Sequence, residues 1–398
     1  MRNLFPVAVA VFLILLFGIT QLLFLRFLNR EWWRRRWIKM SAWALPTAGM
    51  LFVILWGVGE YHANNWLSYP GATGAILSFV LQLSLILSLP VSGSLHLINS
   101  LMDRLARRRS VFHERKVDHH RRRFLRAGAA AIPLASLSMG AGGMAAAVTG
   151  AKVYKKTIAM ADLPVSLEGL RILHLSDSHL RLHVTLDDLA EVLDKASGFQ
   201  PHLTVLTGDI ADNLRMLPDA LRMVEQFASP LGAFACLGNH EYFRGITQVR
   251  QIFDRSTVPL LVNEGVRLSQ RGQPLYIAGI DDPRFLGAKD YDFFRSCTDA
   301  ALKDRTIDDF VVLMSHRPDA LDYSADTGVQ LTLAGHTHGG QVGDMNRSLF
   351  ESVWPDRYLW GHYRRKNSHL YTSSGVGHWF PFRLGCPAEA PVIELVRG

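Results

Sequence analysis

Three stretches of this chain are too long and too apolar to be left in water: FPVAVAVFLILLFGITQLLFL (5–25), SAWALPTAGMLFVILWGVG (41–59) and GAILSFVLQLSLILSLPVSGSLHLI (74–98). A hydrocarbon core of ~30 Å is crossed by about 20 apolar residues in helical form, and these stretches have that length without charge. Pro46 is tolerable within a span. A fourth stretch, GAAAIPLASLSMGAGGMAAAVTGA (128–151), is uncharged but weakly apolar, because alanine and glycine contribute little transfer energy. It reads as a fourth span, a signal-like helix or a buried one.

The charges set a direction. Residues 1–128 hold 17 Lys and Arg against 5 Asp and Glu, whereas the remainder holds 26 against 30. The basic balance therefore belongs to the first third alone, where it sits in loops between apolar stretches. That arrangement is membrane topology rather than nucleic-acid binding. NREWWRRRWIKM and DRLARRRSVFHERKVDHHRRRFLR are strongly basic and expected inside, while EYHANNWLSYPGAT has no Lys or Arg and is expected outside. With the fourth stretch spanning, everything after residue 151 is extracytoplasmic. RRRFLR (121–126) before a mild apolar stretch also resembles a twin-arginine export signal, with the same outcome. The expected organisation is three transmembrane helices in 1–103, a basic cytoplasmic linker with the twin-arginine-like motif in 104–126, a fourth transmembrane or signal-like helix in 127–151, and a soluble domain in 152–398. Trp32, Trp33 and Trp37 suit an interfacial aromatic belt. His113, His119 and His120 are expected to be solvated. Cys236, Cys297 and Cys386 have no CxxC spacing, which leaves no thiolate zinc site and at most one disulfide.

From about residue 160 the pattern becomes short apolar runs alternating with amphipathic stretches. Five runs end on polar donors: LRILHLSDSH on Asp177 and His179, HLTVLTGDIAD on Asp209 and Asp212, GAFACLGNHE on Asn239 and His240, DFVVLMSH on His316, and VQLTLAGHTH on His336 and His338. Carboxyl ends of neighbouring strands in a layered α/β fold share one rim, so these residues should converge. Oxygen and imidazole donors without thiolate suit Mn, Fe or Zn. There are too many for one tetrahedral ion, and a pair of cations sharing a carboxylate clamps both oxygens of an in-line displacement. Glycine beside the donors in three of the five runs, Gly208, Gly238 and Gly335, fits a close approach of backbone to the site. LDDLAEVLDKASG and ALRMVEQFASP are expected helices, each with a stop signal. TSSGVG (372–377) lacks the strand–elbow–helix context of a serine nucleophile.

Together, SDSH…GDIAD…GNHE…SHRPD…GHTHGG resembles the calcineurin-like metallophosphoesterase superfamily over roughly residues 155–398. GHTHGGQ, DRYLWGHY and the tail PFRLGCPAEAPVIEL are most similar to a bacterial subgroup. That subgroup includes membrane-linked or twin-arginine-exported phosphoesterases and a UDP-2,3-diacylglucosamine pyrophosphohydrolase of lipid A synthesis. The resemblance implies an α/β metallophosphoesterase domain built as a four-layer α/β/β/α sandwich. It implies a first metal on Asp177, His179 and His338, a second on Asn239, His316 and His336, and Asp209 bridging. His240 would contact the phosphoryl oxygen or protonate the leaving group, with Asp212 orienting from behind. Ser178 departs from the apolar residue common there, with no loss of ligation expected.

The implied function is a membrane-anchored, metal-dependent phosphoric ester hydrolase, cutting phosphoester or pyrophosphate bonds by attack of a metal-bridging hydroxide. Its substrate is expected to be phosphorylated and to include lipid or lipid-linked molecules, its partner the membrane and not nucleic acid. Its expected place is the bacterial inner membrane, as a multi-pass protein with an extracytoplasmic catalytic domain. Two rivals stay open: a cytoplasm-facing UDP-diacylglucosamine-type pyrophosphohydrolase, and a membrane protein that senses metal or ligand without turnover. Arg317, Tyr242, Phe243, Arg244 and Cys386 read as structural, His174 as a satisfied core histidine. SVWPDRYLWGHYRRKNSHLY (352–371) reads equally as a hairpin or a loop gripping lipid head groups.

Overall fold

The computed structural model describes residues 5–62, 64–109, 119–284, 290–354, 357–378 and 380–398. Residues 110–118 of the basic linker, with His113, lie outside them. The chain divides into two compact units, residues 1–145 and 146–398.

The first unit is helical: α1 (Phe5–Phe27), α2 (Arg30–Trp33), α3 (Arg36–His62), α4 (Asn65–Arg109) and α5 (His119–Ala147). All but α2 are long and apolar enough to cross a membrane. Beyond the third apolar stretch, α4 continues through the following basic residues to Arg109. The weakly apolar fourth stretch is one continuous helix held to α4 by side-chain hydroxyls. Ser92 Oγ donates to Ala129 O at 2.8 Å, and Ser136 Oγ donates to Ser84 O at 2.9 Å. Small polar residues of this kind let apolar helices approach and bond within a membrane. Arg121 and Arg122, from the twin-arginine-like motif, both pair with Asp103 near the end of α4, at 3.2 and 2.8 Å. Trp37 is exposed, while Trp32 and Trp33 pack partly around Leu25, Ala42 and Leu89.

The second unit is built on β1 (Lys152–Met160), β2 (Arg171–Leu175), α6 (Leu186–Ser197), β3 (Leu203–Thr207), α7 (Leu217–Phe227), β4 (Ala233–Cys236), α8 (Asn239–Phe253), β5 (Glu264–Gln270), β6 (Gln273–Gly279), α9 (Tyr291–Ala301), β7 (Phe310–Met314), α10 (Leu321–Ser324), β8 (Leu331–Ala334), β9 (Gly361–Arg365), β10 (Ser368–Thr372) and β11 (Glu389–Arg397). One sheet runs β1-β11-β2-β3-β4 and the other β5-β6-β7-β8-β10-β9. Within them β2, β3 and β4 are mutually parallel, as are β6, β7, β8 and β10.

Burial explains the layering. Ile172, Val205 and Phe234 of the first sheet meet Ile277, Val312 and Leu333 of the second in one apolar cluster. The opposite face of the first sheet is covered by Leu189, Val192, Leu221 and Val224 of α6 and α7. Phe294 and Cys297 of α9 cover Ala278, Val311 and Leu313 of the second sheet. The result is helix, sheet, sheet, helix. Strands buried on both faces are continuous apolar runs, which is why β3 and β7 read as LTVLT and FVVLM. Thr185 and Asp188 form the capping box that starts α6.

Candidate metal centre

The donors leave the carboxyl ends of parallel strands, three from one sheet and two from the other. Asp177 and His179 follow β2, Asp209 and Asp212 follow β3, and His316 follows β7. His336 and His338 follow β8. Asn239 and His240 follow β4 as the first turn of α8. The single rim is therefore a seam between two sheets. His316 stitches it, since its Nδ1 lies 2.8 Å from Thr207 O at the end of β3.

The backbone here is unusual. Asp177 (φ 51°), His179 (φ 45°), Asp209 (φ 52°), His336 (φ 69°) and His338 (φ 48°) all occupy the left-handed region. Each such residue costs about 1–3 kcal/mol and persists only where its surroundings enforce it. Glycine would relieve the strain but would remove the side chain, so the chain keeps strained donors and places glycines beside them. Gly335 shows why: a Cβ there would sit 1.9 Å from Ser176 Oγ and 2.0 Å from Asp177 Oδ2. Its absence lets the His336 N–H donate to both Asp177 oxygens, at 3.1 and 3.0 Å.

Three groups of donor atoms converge: Asp177, His179 and His338; His179, Asp209 and His240; and Asp209, His316 and His336. Asp209 belongs to two of them. His338 Nε2 lies 3.4 Å from Asp177 Oδ1 and 3.1 Å from His179 Nε2. On the other side, His316 Nε2 lies 3.3 Å from Asp209 Oδ2 and 3.1 Å from Asn239 Oδ1 and from His336 Nδ1. Buried imidazole nitrogens facing one another and a carboxylate are poor hydrogen-bonding partners but a coherent ligand set. With oxygen and imidazole donors and no thiolate, the set fits divalent cations of the Mn, Fe or Zn kind.

Against burial, the carboxylates hold His179 and His316 above the ordinary imidazole value, and the other donors are set for a cation. Burial works to raise Asp209, yet His316, His179 and His240 hold its carboxyl well below the usual range. Burial also opposes ionisation of Asp212, and the neighbouring His179 and His240 imidazoles hold it low. Burial pushes His336 and His338 down, leaving them as the neutral imidazoles a metal requires.

A supporting layer fixes these groups. Asp212 Oδ1 accepts from His240 Nδ1 at 2.6 Å and from Arg244 Nε at 3.1 Å, while its Oδ2 lies 3.7 Å from His179 Nδ1. The buried Glu241 accepts from the backbone N–H groups of Gly238, Asp209 and Ile210 at 2.8–2.9 Å. It thereby locks the β3 loop to the start of α8. Arg383 is 1% exposed and, among the described residues, donates only to carbonyls, those of Ser374, Gly375, Gly377 and Cys386. The loop it clasps backs the site, because Val376 N–H donates to Ser176 O and Gly377 N–H to Asp177 O.

All nine residues read from the sequence as ligands or catalytic groups thus lie at this seam. Glu241 and Arg383 are the ones that reading missed. Glu241 carried a signal, standing next to His240 in GNHE at the third position of a helix, where a carboxylate reaches back to free N–H groups. Arg383 carried none. Among the residues read as structural, Arg317 is buried against Asp282 at 2.8 Å. Tyr242 donates to Asp281, and Phe243 stays exposed with its ring 5.6 Å from that of His240. The thiol of Cys386 is buried against His338 O. His174 is only half satisfied: Nε2 meets Thr207 Oγ1 at 2.8 Å, while Nδ1 has no partner among the described residues.

The sequence profile described as calcineurin-like phosphoesterase matches residues 170–340. Over 250 residues the chain is 30% identical to the Bacillus subtilis (strain 168) metallophosphoesterase YkuE, covering 60% of this chain and 83% of the relative. A metallophosphoesterase of Helicobacter pylori (strain ATCC 700392 / 26695) is 26% identical over 363 residues, 88% of this chain and 90% of the relative, so that likeness extends into the helical unit. A Bos taurus protein named as a transmembrane protein with metallophosphoesterase domain is 29% identical over 245 residues. That match takes in 58% of this chain and 54% of the relative, so the chain spans about half of that protein.

Proposed function

The chain belongs to the calcineurin-like phosphoesterase family, and on that footing we propose that it is a membrane-anchored hydrolase of phosphoester or pyrophosphate bonds whose substrates carry lipid. The observation that carries the chemistry is Asp209, placed within ligand distance of two separate imidazole groups. In this reading Asp177, His179 and His338 hold one cation, Asn239, His316 and His336 hold the other, and Asp209 is shared. Two divalent cations bound there would supply Lewis-acid activation of water and neutralise charge on the phosphoryl group.

The remaining work falls to His240. Its Nδ1 is held by Asp212, so Nε2 is the atom that turns toward Asp209, 3.9 Å away. With Nδ1–H engaged, an imidazolium Nε2–H can donate to a phosphoryl oxygen or to the leaving oxygen. Asp212 fixes the ring and tautomer, as the carboxylate does in other carboxylate–histidine pairs.

Anchoring is supported by the four membrane-length helices. The hydroxyl bonds that tie α5 to α4 favour counting α5 among the spans. An odd number of spans after the first basic loop, with that loop inside, sets the domain on the extracytoplasmic face of a bacterial inner membrane. A carboxy-terminal reporter fusion, alkaline phosphatase against green fluorescent protein, checks this orientation; a fluorescent, phosphatase-negative fusion contradicts it. For the activity, the purified full chain is incubated with bis-p-nitrophenyl phosphate before and after chelation and Mn²⁺ return. Metal-dependent turnover is expected. No turnover with any divalent metal favours a sensor instead.

A further inference from the structure

In the α/β unit, large apolar side chains are left exposed in one concentrated place. Met345, Leu349, Val353 and Trp354 are each 52–65% exposed, and from residue 152 onward only Val165, Phe243, Tyr291 and Ile307 join them among the described residues. Four of eight thus fall within ten residues. This segment is firmly held. Gly343 N–H donates to Leu384 O, Met345 N–H to Gly385 O and Leu349 N–H to Val342 O, at 2.8–3.0 Å. Ser348 is buried between the exposed residues. The chain therefore fixes its backbone and turns apolar side chains outward, which on a folded surface marks a contact site.

The segment adjoins the metal centre. A Cβ on Gly340, two residues beyond His338, would meet the Phe350 ring at 2.5 Å. Phe350 in turn packs on Trp354 with ring centroids 5.6 Å apart.

What covers the patch can be argued from size, charge and tether. The four side chains together offer on the order of 400 Å², about half of what each partner brings to a standard protein–protein interface. That is small for a second copy and ample for shallow insertion into a bilayer surface. The Arg347 side chain is 72% exposed at the edge of the patch, its guanidinium 3.7 Å from Glu351 Oε2. The segment's described acids are engaged internally: Asp344 accepts from the N–H groups of Asn346 and Arg347, and Glu351 accepts from the Tyr363 hydroxyl. An exposed arginine in a loose surface pair, beside apolar and indole side chains, matches an anionic lipid surface. Only residues 148–151 separate α5 from β1, so the domain stays close to whatever membrane the helices occupy.

We propose that residues 345–354 dock on an anionic bilayer surface and present the neighbouring metal centre to the head-group layer. The docking stands on exposure and tether alone; its meaning for substrate choice rests on the hydrolase reading above. The three native cysteines are buried, so a nitroxide can be placed selectively at Val353→Cys in the full chain. The chain is reconstituted in bilayers of phosphatidylcholine with phosphatidylglycerol, with Ile307→Cys, 94% exposed, as the aqueous control. Power saturation then compares collisions with oxygen and with a water-soluble nickel chelate. Insertion of 5–10 Å predicts an oxygen-to-nickel ratio about tenfold higher at 353 than at 307. Equal ratios overturn the proposal, as does dipolar broadening at 353 that disappears on dilution with unlabelled chain, which would mean that copies pair through this face. No turnover is needed, so failure of the hydrolase assay and failure of docking are read separately.

Discussion

Asp209 and His316 leave different sheets, from β3 and β7, yet Oδ2 of one lies 3.3 Å from Nε2 of the other. The contact is held from behind by His316 Nδ1 against Thr207 O. Burial opposes a charged His316, but the Asp209 and Asp177 carboxylates push it up to about 10. So much negative charge focused on one buried point is what a divalent cation would answer. The consequences can be measured.

Glu241 gathers three buried N–H groups. Replacing it with alanine strands them, at a cost of about 3 kcal/mol. A domain of this size should then melt roughly 5–10 °C lower. Glu241→Gln, which keeps an acceptor, should recover most of that loss in a thermal melt of the full chain. Equal melting of both variants and the parent contradicts the role.

Gly335→Ala tests the close approach beneath His336. The added methyl cannot coexist with Asp177 where it stands. Displacement of the site by about 1 Å should reduce kcat/KM at least ~100-fold. Unchanged turnover would show that the loop has room.

How far the site was legible in the sequence follows from where its information lies. Asp177, His179, Asp209, Asn239, His316, His336 and His338 announce themselves because each ends an apolar run, a local pattern. The two-sheet seam does not, since the pairing of β11 between β1 and β2 joins residues more than two hundred positions apart. Arg383 was invisible for the same reason: its partners are main-chain carbonyls, which carry no residue identity. Asn239 and His240 end an apolar run in the sequence, whereas in the structure they open a helix that Glu241 caps.

Arg317 and Asp282 form a buried pair, with side chains 3% and 0% exposed. Arg317→Met or Asp282→Leu alone should each cost about 3–5 kcal/mol by leaving one charge unanswered. The double variant should cost clearly less than the sum, read as a coupling in denaturant melts. Additive losses would mean that the two do not act as a pair.

His174 is buried, and burial pushes it from the ordinary 6.5 down to about 3. A histidine kept neutral on folding contributes stability above pH 6.5 that is lost as pH falls toward its folded value. The slope is about 1.4 kcal/mol per pH unit for one proton. His174→Gln should therefore flatten the dependence of Tm on pH between 6.5 and 4 relative to the parent. A parallel displacement of the whole curve would contradict this.

The shared carboxylate is the centre of the account, and counting metal against turnover in Asp209→Asn tests it most directly. The parent chain, loaded with Mn²⁺ and desalted, should retain two ions per molecule and hydrolyse bis-p-nitrophenyl phosphate. The variant should retain one ion at most and lose turnover while melting as a folded protein. Two retained ions with full turnover in the variant would contradict the bridging role and the mechanism built on it.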